Sequence, residues 1–330
     1  MIDKKALEYV KECIDQNHKF VLTTHVNPDG DGLGSEAALA AFLEDLGKEV
    51  FVYNNSRTPP NYDFLDPDHR IVVYDTGMHR EILLQADCIF ILDISEWTRL
   101  RQVGKDIRDR DVKKVFIDHH PTEEIDPSTS LINVKACATG EIVYDLIKFC
   151  NGRITKRIAT GLYTSIITDT GSFRFSNTNI KAFKISAELL ESGISPAQIY
   201  QTIYERQSYS KVKLFGNLLT KLRLDVGGKI AWFTIPQHLV ESTAAKPYDT
   251  EGFVDYPLSI KGVEISLMFF ENEQGKIKVS LRSKGNYVIN GIAQKFGGGG
   301  HPFAAGVLLE GNLNELTERM LEEVTYLFKE

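Results

Sequence analysis

Three short apolar runs, spanning residues 20–24, 88–92 and 114–117, each break off into polar residues at one end: His25, Asp93 and Asp118-His119-His120. Runs this short, apolar throughout and rich in β-branched and aromatic residues, read as strands buried on both faces, which occur in parallel sheets covered by helices. Open sheets of that kind bind ligands outside the carboxyl ends of their strands. The three polar ends should therefore converge on one edge of one parallel sheet. Taken alone, Asp118-His119-His120 reads equally as a surface turn that carries two histidines. The repetition of the pattern gives it weight.

The intervening sequence agrees with a βαβ organisation. After the strand at 20–24 comes a glycine-rich loop over 25–34. Ser35 then opens a helix over 36–46, which Gly47 stops, and a strand follows at 49–53. The proline-bearing stretch 54–70 is a long loop before a short strand at 71–73. A turn-rich piece over 121–130 precedes a strand at 131–134. Helices are expected over 139–149, from about 155 to 167 and over 180–191, with Thr168-Asp169-Thr170-Gly171-Ser172 after the second. Residues 195–224 look like two amphipathic helices, a connector. Beyond them strands alternate at 229–235, 263–271 and 276–282, with a hairpin turn at 272–275, and a helix closes the chain over 313–328. The expected fold is α/β. A doubly wound, mostly parallel N-terminal domain covers 1–193, a helical connector 194–225 and a smaller antiparallel α+β domain 226–330, with the active site in the cleft between the domains.

Composition excludes several classes. With 330 residues, of which 42% are hydrophobic and 25% charged, the chain is an ordinary globular protein long enough for two domains. No apolar run approaches the roughly 18 residues that span a bilayer, and the N-terminus is a charged amphipathic helix, so a cytoplasmic protein with no membrane partner is expected. Cys13, Cys88, Cys137 and Cys150 show no C-x-x-C spacing, which indicates neither a zinc ribbon nor a disulfide framework. A net charge of −7 counts against long duplex nucleic acid as a partner, although focused cations or metals can still hold a small phosphate ligand.

The chemistry concentrates at the strand ends. In His25-x-x-x-Asp29-x-Asp31, imidazole and carboxylates suit Mn²⁺ or Mg²⁺, and the intervening glycines let the backbone fold back so that several side chains reach one ion. With Asp93, His119 and Asp169 the set holds four carboxylates and two imidazoles. That exceeds the needs of one divalent ion and suits two that share a bridging carboxylate. A pair roughly 3.5–4 Å apart clamps the attacking and leaving oxygens of an in-line phosphoryl displacement. His18, His69, His79 and His238 lie outside these strings and read as structural, Arg99 is left out of the site, and Tyr200, Tyr204, Tyr209 and Phe215 read as helix-packing residues.

Taken in order, His25-Val26-Asn27-Pro28-Asp29-Gly30-Asp31, Asp93, Asp118-His119-His120, Asp169 and Gly298-Gly299-Gly300-His301 resemble the successive motifs of the DHH phosphoesterase family with its DHH-associated C-terminal domain. The resemblance covers nearly the whole chain and is most like the NrnA-type nanoRNases, which also act on 3′-phosphoadenosine 5′-phosphate. It implies one manganese held by His25, Asp29 and Asp93 and a second held by Asp31, Asp93, His119 and Asp169, with Asp93 bridging and Mg²⁺ as a substitute. A hydroxide between the ions would be the nucleophile. Asp118 would orient an imidazole, and His120 would face the scissile phosphate.

In the second domain Arg282, Ser283 and the run Gly298, Gly299, Gly300, His301 resemble substrate-recognition elements; a flexible glycine linker is the plain alternative for the run. The run lacks the Gly-Lys-Ser/Thr ending of an ATP-binding P-loop. The implied activity is hydrolysis of short oligoribonucleotides or linear dinucleotides such as pApA to nucleoside 5′-monophosphates. Alternatives are a phosphatase acting on 3′-phosphoadenosine 5′-phosphate, a manganese pyrophosphatase, or a non-catalytic nucleotide-binding protein. A homodimer is allowed.

Overall fold

The computed structural model describes residues 2–328 apart from 95 and 123. The expected outer domain limits at 1 and 330, and residue 123 of the turn-rich piece, lie outside the described residues. The chain divides into two compact units, Met1–Arg206 and Gln207–Glu330. The two helices expected as a connector are Pro196–Tyr204 and Tyr209–Leu219, which belong to the first and the second unit respectively.

The first unit runs α1 (Lys4–Gln16), β1 (Lys19–Thr23), α2 (Gly30–Asp45), β2 (Glu49–Asn54), β3 (Ile71–Val73), α3 (Thr76–Leu84), β4 (Cys88–Leu92), α4 (Arg101–Ile107), β5 (Lys113–Asp118), β6 (Leu131–Ile132), α5 (Thr139–Phe149), α6 (Lys156–Asp169), α7 (Ile180–Leu190) and α8 (Pro196–Tyr204). Its strands form one sheet in the order β3-β2-β1-β4-β5-β6, parallel at every pairing. Both faces are covered. Phe20, Leu22, Phe90, Leu92 and Ile117 pack under α1, α2 and α5 to α8, while Val21, Ile89, Ile91 and Phe116 pack under α3 and α4. The sheet is doubly wound, and its strand order reverses between β1 and β4. That is where the open carboxyl edge offers a crevice.

Among the boundaries that differ from the sequence expectation, two move a candidate ligand. Helix α2 begins at Gly30, not at Ser35, because the Asp29 carboxylate accepts the N–H groups of Asp31 and Gly32 (3.0 and 3.3 Å) and so caps the helix. Asp31 thus stands in a first helical turn and not in a loop. Helix α6 continues through Asp169 instead of ending at 167, which makes that carboxylate the last residue of a rigid element. Helix α2 is buried along most of its length and crosses α6 closely at two glycines. A Cβ on Gly34 would strike the Gly161 carbonyl, and one on Gly161 would come within 2.5 Å of the Gly34 oxygen.

The second unit comprises α9 (Tyr209–Leu219), β7 (Arg223–Asp225), β8 (Ile230–Ile235), α10 (Gln237–Thr243), β9 (Ile265–Glu271), β10 (Lys276–Ser283), α11 (Asn290–Lys295), β11 (Gly299–His301), β12 (Ala304–Glu310) and α12 (Leu313–Tyr326). The sheet order is β11-β12-β10-β9-β8-β7. It is mixed and not purely antiparallel, since β8 pairs with β9 in parallel. The connection between them is long enough to cross over: it holds α10 and 3₁₀ turns, including Phe253–Ser259. Leu267, Phe269, Val279 and Leu281 face α11 and α12, whereas Phe233, Met268 and Phe270 face α9 and α10.

Candidate metal centre

The candidate ligands stand at element ends. His25 follows β1, Asp93 follows β4, Asp118 closes β5 with His119 and His120 beyond it, Asp31 lies in the first turn of α2 and Asp169 closes α6. The structure brings His25, Asp29 and Asp93 into one group and Asp31, His119 and Asp169 into a second. The carboxylate of Asp93 reaches both. Its Oδ2 lies 3.3 Å from His25 Nε2, and its Oδ1 lies 3.9 Å from His119 Nε2 and 3.5 Å from His120 Nδ1. Asp29 Oδ1 is 3.8 Å from His25 Nε2. Asp31 Oδ2 and Asp169 Oδ2 stand 3.4 and 3.7 Å from His119 Nε2.

The backbone of Asp93 has φ 58, a left-handed conformation that a non-glycine residue adopts at a cost. Its amide is anchored on the Ile117 carbonyl at 2.9 Å. Strain of this kind tends to persist where a side chain must be aimed.

Both candidate ligand imidazoles, His25 and His119, are oriented from behind. His25 Nδ1 lies 3.0 Å from the Val26 carbonyl and His119 Nδ1 3.3 Å from that of Ala136, which fixes the tautomer and turns Nε2 inward. Those two inward Nε2 atoms are buried and lack a hydrogen-bond partner, although carboxylates surround them. A divalent cation satisfies such nitrogens, and the donor set of imidazole and carboxylate fits Mn²⁺ or Mg²⁺. Asp118 is fully buried and accepts from the His120 backbone N–H at 3.1 Å, and its Oδ1 lies 2.8 Å from His120 Nδ1. Among the imidazoles it holds His120.

The electrostatics agree with a cation site. Burial, then the charges of Asp93, Asp169 and Asp29, push the Asp31 carboxyl well above the usual range. Burial also raises Asp169 to about 6, with His119 opposing and Asp93 and Asp29 adding to the shift. Burial alone would lower His25, but the carboxylates of Asp29 and Asp93 outweigh it and hold the imidazolium up to about 10. So many carboxylates together demand positive charge, as protons or as metal ions.

Several supporting residues left no signal in the sequence. Asp31 accepts from the backbone N–H groups of Thr139 and Gly140 (2.9 and 3.3 Å) at the start of α5 and from the Ser165 hydroxyl. Thr139 Oγ1 also donates to Asp93 Oδ1 at 3.3 Å. Asn177 Nδ2 donates to Asp169 Oδ2 at 2.9 Å. The start of α5 was readable as a helix N-terminus, but not that it points at a carboxylate some hundred residues earlier.

In the second unit, the strand register sets His301, Ala304 and Arg282 in one row across β11, β12 and β10, with Gly299, Gly306 and Ser280 in the next row on the same face. Small residues thus form a floor between an arginine and a histidine. The glycine run is an edge strand and not a flexible linker. Gly298 N–H is committed to the Ala293 carbonyl at 2.8 Å, where it closes α11. Arg282 Nε donates to Asp255 Oδ1 at 3.1 Å, and Ser283 N–H donates to the Phe303 carbonyl at 2.9 Å.

Comparison with known proteins agrees with both halves. The DHH family, N-terminal domain, matches residues 19–166, and the DHHA1 domain matches 236–330. The bifunctional oligoribonuclease and PAP phosphatase NrnA of Thermus thermophilus is 33% identical over 92% of this chain and 88% of its own, and its Bacillus subtilis namesake is 28% identical over 94% and 95%. The crystal structure of an exopolyphosphatase-related protein from Bacteroides fragilis superposes with TM-score 0.94 at 29% identity, covering 100% of this chain and 99% of that one. The chain belongs to the DHH family and carries a DHHA1 domain. Within that family it is a metal-dependent phosphoesterase.

Proposed function

We propose that the protein hydrolyses short oligoribonucleotides and linear dinucleotides such as pApA to nucleoside 5′-monophosphates, with two Mn²⁺ ions at the strand-end site. The observation that carries this reading is Asp93, whose two carboxylate oxygens face the two imidazoles of two separate groups, at 3.3 and 3.9 Å. Named relatives that act on oligoribonucleotides and PAP support the substrate class.

His25, Asp29 and Asp93 would hold one ion, and Asp31, Asp93, His119 and Asp169 the other. When bound, such a pair lowers the pKa of water and neutralises phosphoryl oxygens. The protein's own share is orientation and proton handling. Asp118 pins His120 through Nδ1, which holds the ring in place to hand a proton to the leaving oxygen. In the second unit Arg282 offers a charged fork to a terminal phosphate, while Ser283, Gly298, Gly299, Gly300 and His301 frame the base and sugar.

The same groups could take the 3′-phosphate from 3′-phosphoadenosine 5′-phosphate, and the named activities of the relatives favour keeping this second reading. One panel separates the possibilities. The purified protein with Mn²⁺ is given pApA, pGpG, short RNA, 3′-phosphoadenosine 5′-phosphate and pyrophosphate, and the products are resolved by chromatography. Mononucleotides from the dinucleotides support the proposal. Orthophosphate from pyrophosphate alone overturns it.

A further inference from the structure

Immediately beyond Asp169 the chain makes an unusual turn. Gly171, Ser172 and Phe173 are all left-handed, with φ of 54, 59 and 64, so two non-glycine residues in succession occupy a conformation that L-residues avoid. The turn is locked by Ser172 N–H on the Ile167 carbonyl (2.7 Å) and by Arg174 and Phe175 N–H on that of Thr170 (2.9 and 3.0 Å). It folds back far enough that a Cβ on Gly171 would lie 2.5 Å from the Phe175 ring, so the ring sits directly on bare backbone. Yet Phe175 is not buried by this packing and remains 52% exposed.

Two further contacts tie that ring to the chemistry. Asn177 Nδ2, two residues on, donates to Asp169 Oδ2 and to the carbonyls of Asp169 and Cys137, at 2.9, 3.1 and 2.8 Å. The loop and a candidate metal ligand therefore form one hydrogen-bonded piece. Arg174 donates through Nε to the Gly171 carbonyl at 3.0 Å, and its guanidinium lies over the Phe175 ring, 5.6 Å from the centroid.

A half-exposed aromatic ring with a cation over it, hydrogen-bonded through its loop to a candidate metal ligand, offers what a nucleotide needs: π surface for the base and charge for its phosphate. The exposed residues Ile180 and Phe183 of α7 are a separate feature, since it is Phe173 that stacks on Phe183, with centroids 5.0 Å apart.

We propose that Phe175 is the stacking platform for the nucleobase adjoining the scissile phosphate, with the Arg174 guanidinium that lies over the ring swinging out to meet phosphate charge as the base takes its place. This rests on the phosphoesterase reading above, but its test reads binding and not turnover. AMP and ribose 5-phosphate are titrated calorimetrically into the Mn²⁺-treated wild type, Phe175→Ala and Phe175→Trp. Stacking contributes enough that the wild type should prefer AMP by roughly fivefold to a hundredfold. Phe175→Ala should lose that preference while keeping its affinity for ribose 5-phosphate, and Phe175→Trp should retain it.

A preference unchanged in Phe175→Ala overturns the proposal, as does an equal loss for both ligands. A wild-type dimer that becomes monomeric in Phe175→Ala with AMP preference intact would assign the ring to a second copy and overturn it likewise. Cleavage of pApA by the wild type is scored separately, so failure of the catalytic reading is distinguishable from failure of the stacking claim.

Discussion

Asp93 combines a costly backbone conformation with two carboxylate oxygens aimed at different imidazoles, so its removal should cost more than that of any other single ligand. Asp93→Ala is expected to abolish measurable hydrolysis of pApA while the circular dichroism spectrum stays native. Activity within tenfold of wild type would remove Asp93 from the centre. His120 plays a different part. It is held by Asp118 at 2.8 Å and half-buried, and although it also lies in a group with Asp93, Asp118 and His119 that could hold an ion, the proposed reading gives it a proton to move. His120→Gln should therefore lower kcat by roughly 10²–10⁴-fold while Mn²⁺ binding, followed by calorimetry, changes little. Loss of metal affinity instead would make it a ligand.

At the scale of elements, two helices crossing at bare backbone position the site. Because a methyl on Gly34 meets the Gly161 carbonyl and the Ser165 amide, Gly34→Ala should destabilise the protein by about 1–3 kcal/mol in urea denaturation. An unchanged midpoint would show that α2 and α6 can separate at no cost. The sheet of the second unit makes a functional prediction. If Arg282 grips a terminal phosphate, Arg282→Ala should raise KM for pApA by about tenfold or more with kcat less affected, since hydrogen bonds to charged groups contribute about 1.5–3 kcal/mol.

What could be read in advance follows from how local each signal is. Strands β1, β4 and β5 announced themselves as unbroken apolar runs, so the residues at their ends could be set on one edge without a structure. The start of α2 could not, because Gly30, Gly32 and Gly34 have poor helix propensity and read as a loop; capping by Asp29 and burial against α6 override that propensity. Asn177, Ser165 and Thr139 reach the site only through tertiary packing, and single polar residues on helices or turns carry no periodic signature. The row of His301, Ala304 and Arg282 needed the strand register.

For the molecule as a whole, the net charge is −7, so the proposed hold on phosphate would rest on positive charge focused at the site and not on a basic surface. That focus predicts how stability varies with pH. His25, raised to about 10 from 6.5, and Asp169, raised to about 6 from 3.8, both bind protons more tightly in the folded than in the unfolded chain. In EDTA the stability they contribute should be present at low pH. It should be lost as pH rises, through about 4 to 6 for Asp169 and about 6.5 to 10 for His25. Mn²⁺ requires deprotonated ligands, so its stabilisation should grow over the same range. The gap between melting temperatures with Mn²⁺ and with EDTA is expected to widen from pH 6 to pH 8, and a constant gap would argue against metal at these residues. The most direct test of the central claim is chromatography of pApA incubated with the Mn²⁺-treated protein. The account predicts AMP as the product, formed by the wild type and not by Asp93→Ala; pApA left intact by a protein that demonstrably binds Mn²⁺ would contradict it.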